Sequence, residues 1–280
     1  MPRSIWKGAV SFGLVTIPIK LYGATEERDI SFRQVHDADA GRIRYKRVCE
    51  VCGDEIPYEH IVKGYEAADG RLVTLDSSDF DDLPLPSAKA IEIVQFVDIE
   101  QVDPSYFSKS YFLEAEGPGV KPYVLLRQAL AESGRAGIVK VAIRSRETLA
   151  LIRAKDELLV LHTMLWPDEL RDGAFAAPPD TATASKAEVG MATMFIDQLT
   201  ADFDPTAFED SYRAALEQVV AAKLEGVPVP AQEGAETPGD ADVVDLVAAL
   251  KASVEAAKKR REDAGKSGRG SAPGAKSQVS

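Results

Sequence analysis

The sequence is short of cysteine, has no long apolar run and contains no glycine-rich phosphate loop, and each shortage closes off a class of protein. Only two cysteines occur among 280 residues, Cys49 and Cys52. That is too few for a disulfide framework, and their spacing is more typical of metal binding or redox chemistry. No segment approaches the roughly 20 apolar residues that span a bilayer, so no membrane partner is expected. The opening MPRSIWKGAVSF lacks the uninterrupted apolar centre of a secretory signal, and the expectation is a cytoplasmic protein. Nothing matches a GxxxxGKS or GxxxxGKT loop, and no internal repeat is visible.

What remains is a globular composition. A hydrophobic share of 45% over 280 residues is enough for one large core or two small ones. The net charge of -12, from 45 acidic against 33 basic residues, argues against indiscriminate attraction to polyanions. Charge acts locally, however: with a screening length of roughly 8 Å at physiological salt, a basic strand face attracts phosphate whatever carboxylates lie on the far side.

Such a face is readable at residues 137–171. In GIVKVAIRSR, Val139, Val141 and Ile143 share one side of a two-residue period, and Lys140, Arg144 and Arg146 share the other. After a turn around Glu147 and Thr148, LALIRAK places Arg153 and Lys155 two apart, and LLVLHTMLW is apolar enough for a buried strand. RIRYKRV, residues 42–48, alternates likewise, with Arg42, Arg44 and Lys46 opposite Ile43, Tyr45 and Arg47, and predicts a second basic strand.

The front of the chain is mostly β. Residues 9–22 alternate Val15, Ile17, Ile19 and Leu21 with polar residues, and Pro18 places that strand at an edge or bulge. Asp69-Gly70 predicts a hairpin turn, and residues 91–99 and 110–116 predict further strands. A helix is expected over 122–133, with Pro122 at its first position and Gly134 past its end, carrying Arg127 with Arg135 just beyond. Two more amphipathic helices follow. Ser185 and Glu188 form a capping box ahead of Val189, Ala192, Phe195, Ile196 and Leu199, and Asp204-Pro205 opens a helix running through Phe208, Tyr212, Leu216 and Val219 to Gly226. Residues 227–241 have linker composition. Val243, Val247, Leu250 and Val254 then form an apolar stripe ending in Lys258, Lys259, Arg260 and Arg261, before a tail expected to be disordered. The fold class is α+β, mainly β, divided at 1–176, 177–226, 227–241 and 242–280.

Several segments together carry a family resemblance. IWKGAVSFGLVTIPIKLY, IRYKRVCEVCG, IVKGYE, SYFLE, YVLLRQAL, LALIR, LWPDELR, DFDPTAFEDSYRAALEQVVAAKLEG and DVVDLVAALKAS make the chain similar to the bacterial Ku proteins over nearly all of its length to about residue 254. The resemblance implies a homodimeric ring of Ku-type β-barrels that threads double-stranded DNA ends through a basic channel in non-homologous end joining. It further implies recruitment of an ATP-dependent DNA ligase of the D type, no enzymatic activity and a nucleoid association. The helices after the barrel resemble the arm and ligase-recruiting region, and the basic tail resembles an extension that adds DNA affinity. The von Willebrand-like domain that precedes the barrel in the eukaryotic members is, as in the bacterial ones, not expected here.

On this basis Arg42, Arg44, Lys46, Arg47, Arg127, Arg135, Lys140, Arg144, Arg146, Arg153 and Lys155 are expected to meet phosphates and sugars without reading base edges. Lys258, Lys259, Arg260 and Arg261 are added as tail contacts. The bland reading of every one of these is a solvated surface charge. Cys49 and Cys52 have the shape of half a zinc site, which needs four ligands. His36 and His60, or the pair of a second chain, would have to complete it; two thiols in a tight turn without metal is the simpler reading. Lys7 could form a Schiff base with an abasic sugar in a lyase reaction, an activity associated with some Ku proteins, though a lone lysine is more often a surface charge. A general nucleic-acid-binding patch without preference for ends is the other alternative. His162 reads as a hydrogen-bonded core histidine, and the acidic run at 76–82 as a loop or helix start.

Overall fold

The computed structural model describes residues 2–81, 90–143 and 146–228. Two compact units divide the chain, Met1–Asp172 and Gly173–Ser280.

The first unit is built on a closed barrel. Its strands are β1 (Trp6–Phe12), β2 (Val15–Gly23), β5 (Ala90–Asp98), β6 (Phe107–Ala115), β7 (Arg135–Ile143), β8 (Arg146–Lys155) and β9 (Leu158–Met164), and they neighbour one another in the order β1-β2-β6-β9-β8-β7-β5. All the pairings are antiparallel except the one between β1 and β5, which is parallel and closes the barrel through Ala9↔Ala90, Val10↔Ile91 and Ser11↔Glu92. Closure leaves the barrel sheet without a free edge. A separate two-stranded sheet, β3 (Lys63–Glu66) with β4 (Leu72–Leu75), turns at Gly70, where φ is +81°. A four-residue helix, α1 (Ser78–Asp81), follows it. Asp76 accepts hydrogen bonds from Ser78 N and Oγ at 2.7 and 2.6 Å at the start of α1, so the acidic run is a helix start.

The expected strand over 9–22 is two strands. Gly13 (φ +58°) and Leu14 form a two-residue hairpin loop between the paired residues Phe12 and Val15. Pro18 does not lie at an edge, since β2 pairs with both β1 and β6. The proline is tolerated because the β2–β6 ladder starts one residue later, at Ile19↔Ala115. Its carbonyl still accepts from Glu116 N at 2.9 Å on that side, so the donor it lacks falls just past the ladder's end.

Alternation fills the barrel. Val10, Ile17, Ile19, Leu21, Ile91, Leu113, Val139, Val141, Ala150, Ile152, Leu159 and Leu161 form one buried cluster inside it. The helix α2 (Val120–Ser133) adds Tyr123, Leu126 and Leu130 to that cluster. It closes the end where β6 finishes and β9 begins: Tyr123 Oη donates to Leu113 O at 2.8 Å and accepts from Leu159 N at 2.7 Å. Gly134, in the left-handed region at φ +64°, ends the helix as expected, but the helix begins at Val120, so Pro122 lies within its first turn.

A second, smaller cluster lies on the outer face of the barrel. Ala136, Ile138, Leu149, Leu151 and Met164 are covered there by Val102 and Tyr106 from the β5–β6 connection and by Phe107 at the start of β6.

In the second unit, α3 (Lys186–Leu199) starts at the expected capping box: Glu188 N donates to Ser185 Oγ at 3.3 Å and Ser185 N to Glu188 Oε2 at 2.6 Å. The following helix, α4 (Ser211–Glu225), starts later than Asp204-Pro205 predicts. Asp204 caps only a single 3-10 turn at Pro205–Ala207. Asp210 is the true cap, accepting from Arg213 N at 2.9 Å, and the chain is extended at Phe208, which stacks on Phe203 with ring centroids 6.0 Å apart. Gly226 (φ +69°) ends α4. Most of the linker, the stripe at 242–261 and Lys258, Lys259, Arg260 and Arg261 lie outside the described residues, as does Arg144.

Candidate nucleic-acid interface

The predicted basic residues fall on three parts of the first unit. The outer wall of β7 and β8 carries Lys140, Arg153 and Lys155, because Val139, Val141, Ala150 and Ile152 take the inward positions. They do not form one continuous strip. Lys140 pairs across with Leu149, whereas Arg153 lies four residues further along β8. At roughly 3.4 Å per residue the two rungs are about 14 Å apart. Between them lies the Ile138↔Leu151 rung under the Tyr106 and Phe107 cover. Lys140 ion-pairs with Glu147 at 3.7 Å and its Nζ stands 5.8 Å from the Trp166 ring centroid. At the far end Arg135 pairs with Asp98 at 3.5 Å, and Lys155 is exposed.

Arg153 belongs to a polar chain. Its Nε donates to His162 Nε2 at 3.0 Å, and His162 Nδ1 lies 2.8 Å from Ser110 Oγ. Since Arg153 can only donate, Nε2 must be the unprotonated nitrogen, and Nδ1–H donates to Ser110. Burial, then the charges of Arg153 and Lys155, push the His162 pKa below its ordinary value. The expected hydrogen-bonded histidine is therefore real, but its strand position faces outward, across from Leu151 and Ser110 rather than into the barrel.

Arg146 departs from the sequence pattern. The strand turn is not at Glu147 and Thr148: β8 already begins at Arg146, paired with Ile143. Across a hairpin, paired residues share a face, so Arg146 shares the inward side of Ile143, at the rim, instead of the outer side of Lys140. Its Nη2 donates to Glu169 Oε1 at 2.7 Å. Arg127 has local work: only 15% of its side chain is exposed, and its Nη1 holds Asp156 O at 2.8 Å and Glu157 at 3.2 Å, clamping the β8–β9 turn where Asp156 has φ +52°.

The second basic strand, at 42–48, does not form. Only the isolated bridges Val35↔Arg42 and Val48↔Glu55 occur there, around tight turns at His36–Gly41 and Cys49–Asp54. The reason is the missing apolar face: Ile43 and Tyr45 are 46% and 79% exposed, so the alternation has no core to register against. Arg42, Arg44, Lys46 and Arg47 are all exposed on this segment. Lys46 bonds Glu55 at 2.6 Å, Arg47 lies 5.3 Å from the Tyr58 ring centroid, and Tyr45 Oη donates to Gln34.

Cys49 and Cys52 sit on either side of the second tight turn. The N–H groups of Cys52 and Val51 and the Cys52 thiol lower the Cys49 pKa. His36 does not join them, its Nδ1 lying 3.1 Å from Asp39, and His60 lies beside Glu59. Among the described residues no three His, Cys, Asp or Glu side chains group to hold a metal ion. Lys7 is held 3.1 Å from Glu116, which also takes Lys20 at 2.8 Å. Hydrogen bonding from Lys20 is the first cause that lowers the Glu116 pKa.

Sequence reasoning passed over Lys109, exposed on β6 and without an ion-pair partner among the described residues. A lone base in SKSYFLE carries no periodic signal.

The family model described as the Ku70/Ku80 beta-barrel domain matches residues 11–191, from within β1 to within α3. The chain belongs to the Ku family. It is 50% identical over 259 residues to the non-homologous end joining protein Ku of Frankia casuarinae, covering 92% of this chain and 65% of that one. It is 49% identical over 262 residues to the non-homologous end joining protein Ku 2 of Saccharopolyspora erythraea (92% and 85%). With the Ku protein of Mycobacterium tuberculosis it shares 42% over 263 residues (92% and 96%). The chain thus spans just under two thirds of the Frankia protein and nearly all of the mycobacterial one. The barrel that the family description names is the one closed by β1 and β5. Among the described residues no helix is long and apolar enough to cross a membrane.

Proposed function

We propose that this chain binds the ends of double-stranded DNA without regard to sequence, as a homodimeric ring acting in non-homologous end joining, and that it recruits an ATP-dependent DNA ligase of the D type. It acts as a binding protein in the cytoplasm, on the nucleoid. The observation that carries the reading is the match to the Ku barrel family over residues 11–191, together with 42% identity over nearly the full length of a protein named for end joining. The surface is consistent in kind. Arg42, Arg44, Lys46, Arg47, Lys140 and Lys155 are exposed cations on a loop segment and a barrel wall, and none of them stands on a helix that could enter a major groove. Such a set suits backbone contacts, which supply affinity and position but no sequence readout. Arg127 is left out, since it serves a turn.

The test is topological. Affinity is compared for a linear duplex and a covalently closed circle of the same sequence, at one salt concentration. A ring threaded from an end binds the linear form and fails on the closed one. Equal affinity for both would overturn the ring and leave a general nucleic-acid patch.

A further inference from the structure

The barrel is a cup. Helix α2 closes one end, while at the other, where β7 ends and β8 begins, a cavity of about 480 Å³ remains open. This size lies within the roughly 300–1,000 Å³ of small-molecule pockets. Its lining differs in kind from the leucine-filled end. Tyr111 and Thr148 project from the strands, and Lys109, Arg146, Trp166 and Glu169 surround the rim.

Three features define what it would accept. First, two cations face one carboxylate. Glu169 is already engaged by Arg146 at 2.7 Å and by Trp166 N at 2.8 Å, and those two bonds hold its pKa down, the Trp166 N–H contributing most. Lys109 has no ion-pair partner among the described residues, so the rim is left with a net positive charge. Second, the half-buried hydroxyl of Thr148 has no hydrogen-bond partner among the described residues, whereas that of Thr163 beside it is satisfied by Lys109 N at 3.0 Å. Thr148 is thus a hydroxyl free to donate. Third, the Trp166 indole and the Tyr111 ring offer aromatic surface at the same opening, the kind of platform on which bases stack.

We propose that the open mouth of the barrel holds a nucleoside 5′-monophosphate unit, its phosphate between Lys109, Arg146 and Thr148 and its base against Trp166. Lys140, 5.8 Å from the Trp166 ring centroid, joins the cavity to the basic wall. The unit is either a free nucleotide or the unpaired terminal nucleotide of a DNA overhang. Its placement on an overhang rests on the end-binding reading above; the nucleotide chemistry of the cavity does not.

The chain has two tryptophans, so Trp6→Phe leaves Trp166 as the sole indole reporter. Titration with deoxyadenosine monophosphate is expected to quench it saturably. The Lys109→Gln variant with the full nucleotide should bind about tenfold weaker or worse, the loss of one charge-assisted hydrogen bond, and deoxyadenosine, lacking the phosphate that all three groups hold, should bind more weakly still. Calorimetry on the unaltered chain repeats the titration free of any effect of Trp6→Phe on folding. To separate the sources, a duplex with a 5′-phosphorylated overhang is compared with its 5′-hydroxyl counterpart as competitor. Displacement of the nucleotide by the phosphorylated overhang alone supports the terminal nucleotide, and displacement by neither assigns the cavity to free nucleotide. No saturable binding of the monophosphate by either method overturns the proposal. If that happens while linear DNA is still preferred over closed circles, the cavity is refuted and end binding stands. If the nucleotide binds while linear and closed DNA bind alike, the cavity stands and the end-binding reading falls.

Discussion

Tyr123→Phe removes a single oxygen from the closed end of the barrel, and its consequences can be worked out atom by atom. The ring is 7% exposed and remains in the core cluster after the change, so the packing term is unaltered. Two hydrogen bonds disappear, Oη to Leu113 O at 2.8 Å and Leu159 N to Oη at 2.7 Å. Burial pushes the phenol pKa above its ordinary value, so the hydroxyl remains protonated and able to donate at neutral pH. Each lost bond costs about 1 kcal/mol net, and the Leu159 N–H left without a partner at a buried position adds about 1–2 kcal/mol. The expected loss is about 3–4 kcal/mol, or a fall in Tm of about 6–16 °C for a unit of this size. Urea unfolding of the full chain, followed by circular dichroism, measures it. Linear-duplex affinity well below the transition should not change, because the lost hydroxyl is buried and bonds only Leu113 O and Leu159 N, none of the exposed cations proposed to meet phosphate. A loss under about 0.5 kcal/mol, the scatter of ordinary surface substitutions, would refute the bridging role and mean that α2 is held by its apolar contacts alone.

Two further outcomes test the charged surface. If Lys140 and Lys155 each neutralise a phosphate, replacing both with Gln should flatten the log-log salt dependence of DNA affinity by about 1.8 per subunit, from about 0.9 per contact; an unchanged slope would move the interface elsewhere. For His162 the folded pKa lies below the unfolded one, so on acidification the unfolded chain takes up its proton first. Stability attributable to this group is therefore present above about pH 6.5 and is lost as pH falls from there toward the folded pKa. Denaturation midpoints at about pH 7.5 and about pH 5.5 should differ more for the parent chain than for His162→Gln, and equal differences would refute the assignment.

Much of the fold was legible because its signals are local. A residue's side of a strand follows from a two-residue period, so Ile17, Ile19, Leu21, Val139 and Val141 could be placed inside before any partner strand was known. Caps are equally local: Ser185 with Glu188, Gly134 and Gly226 stand where backbone groups run out of partners or φ turns positive. The misreadings came where a local pattern needed a distant partner. RIRYKRV alternates as a strand does, but without a buried face it makes only isolated bridges. Asp204-Pro205 is a sound helix start that caps one turn, because a second cap follows at Asp210.

The candidate interface divides in the same way. The sequence by itself determined which side chains carry charge and that β7 has an inner apolar row and an outer face bearing Lys140. Only the tertiary structure decided that the hairpin after Ile143 turns Arg146 onto the inward side and that Arg127 clamps a turn. It also decided that Tyr106 and Phe107 separate the basic residues of the wall and that the barrel closes through β1 and β5, with one end filled and one open. Side-chain period is a property of a few consecutive residues. Register across a hairpin, closure of a barrel and the cover on its outer wall depend on residues far apart in the chain, and no short stretch of sequence contains them.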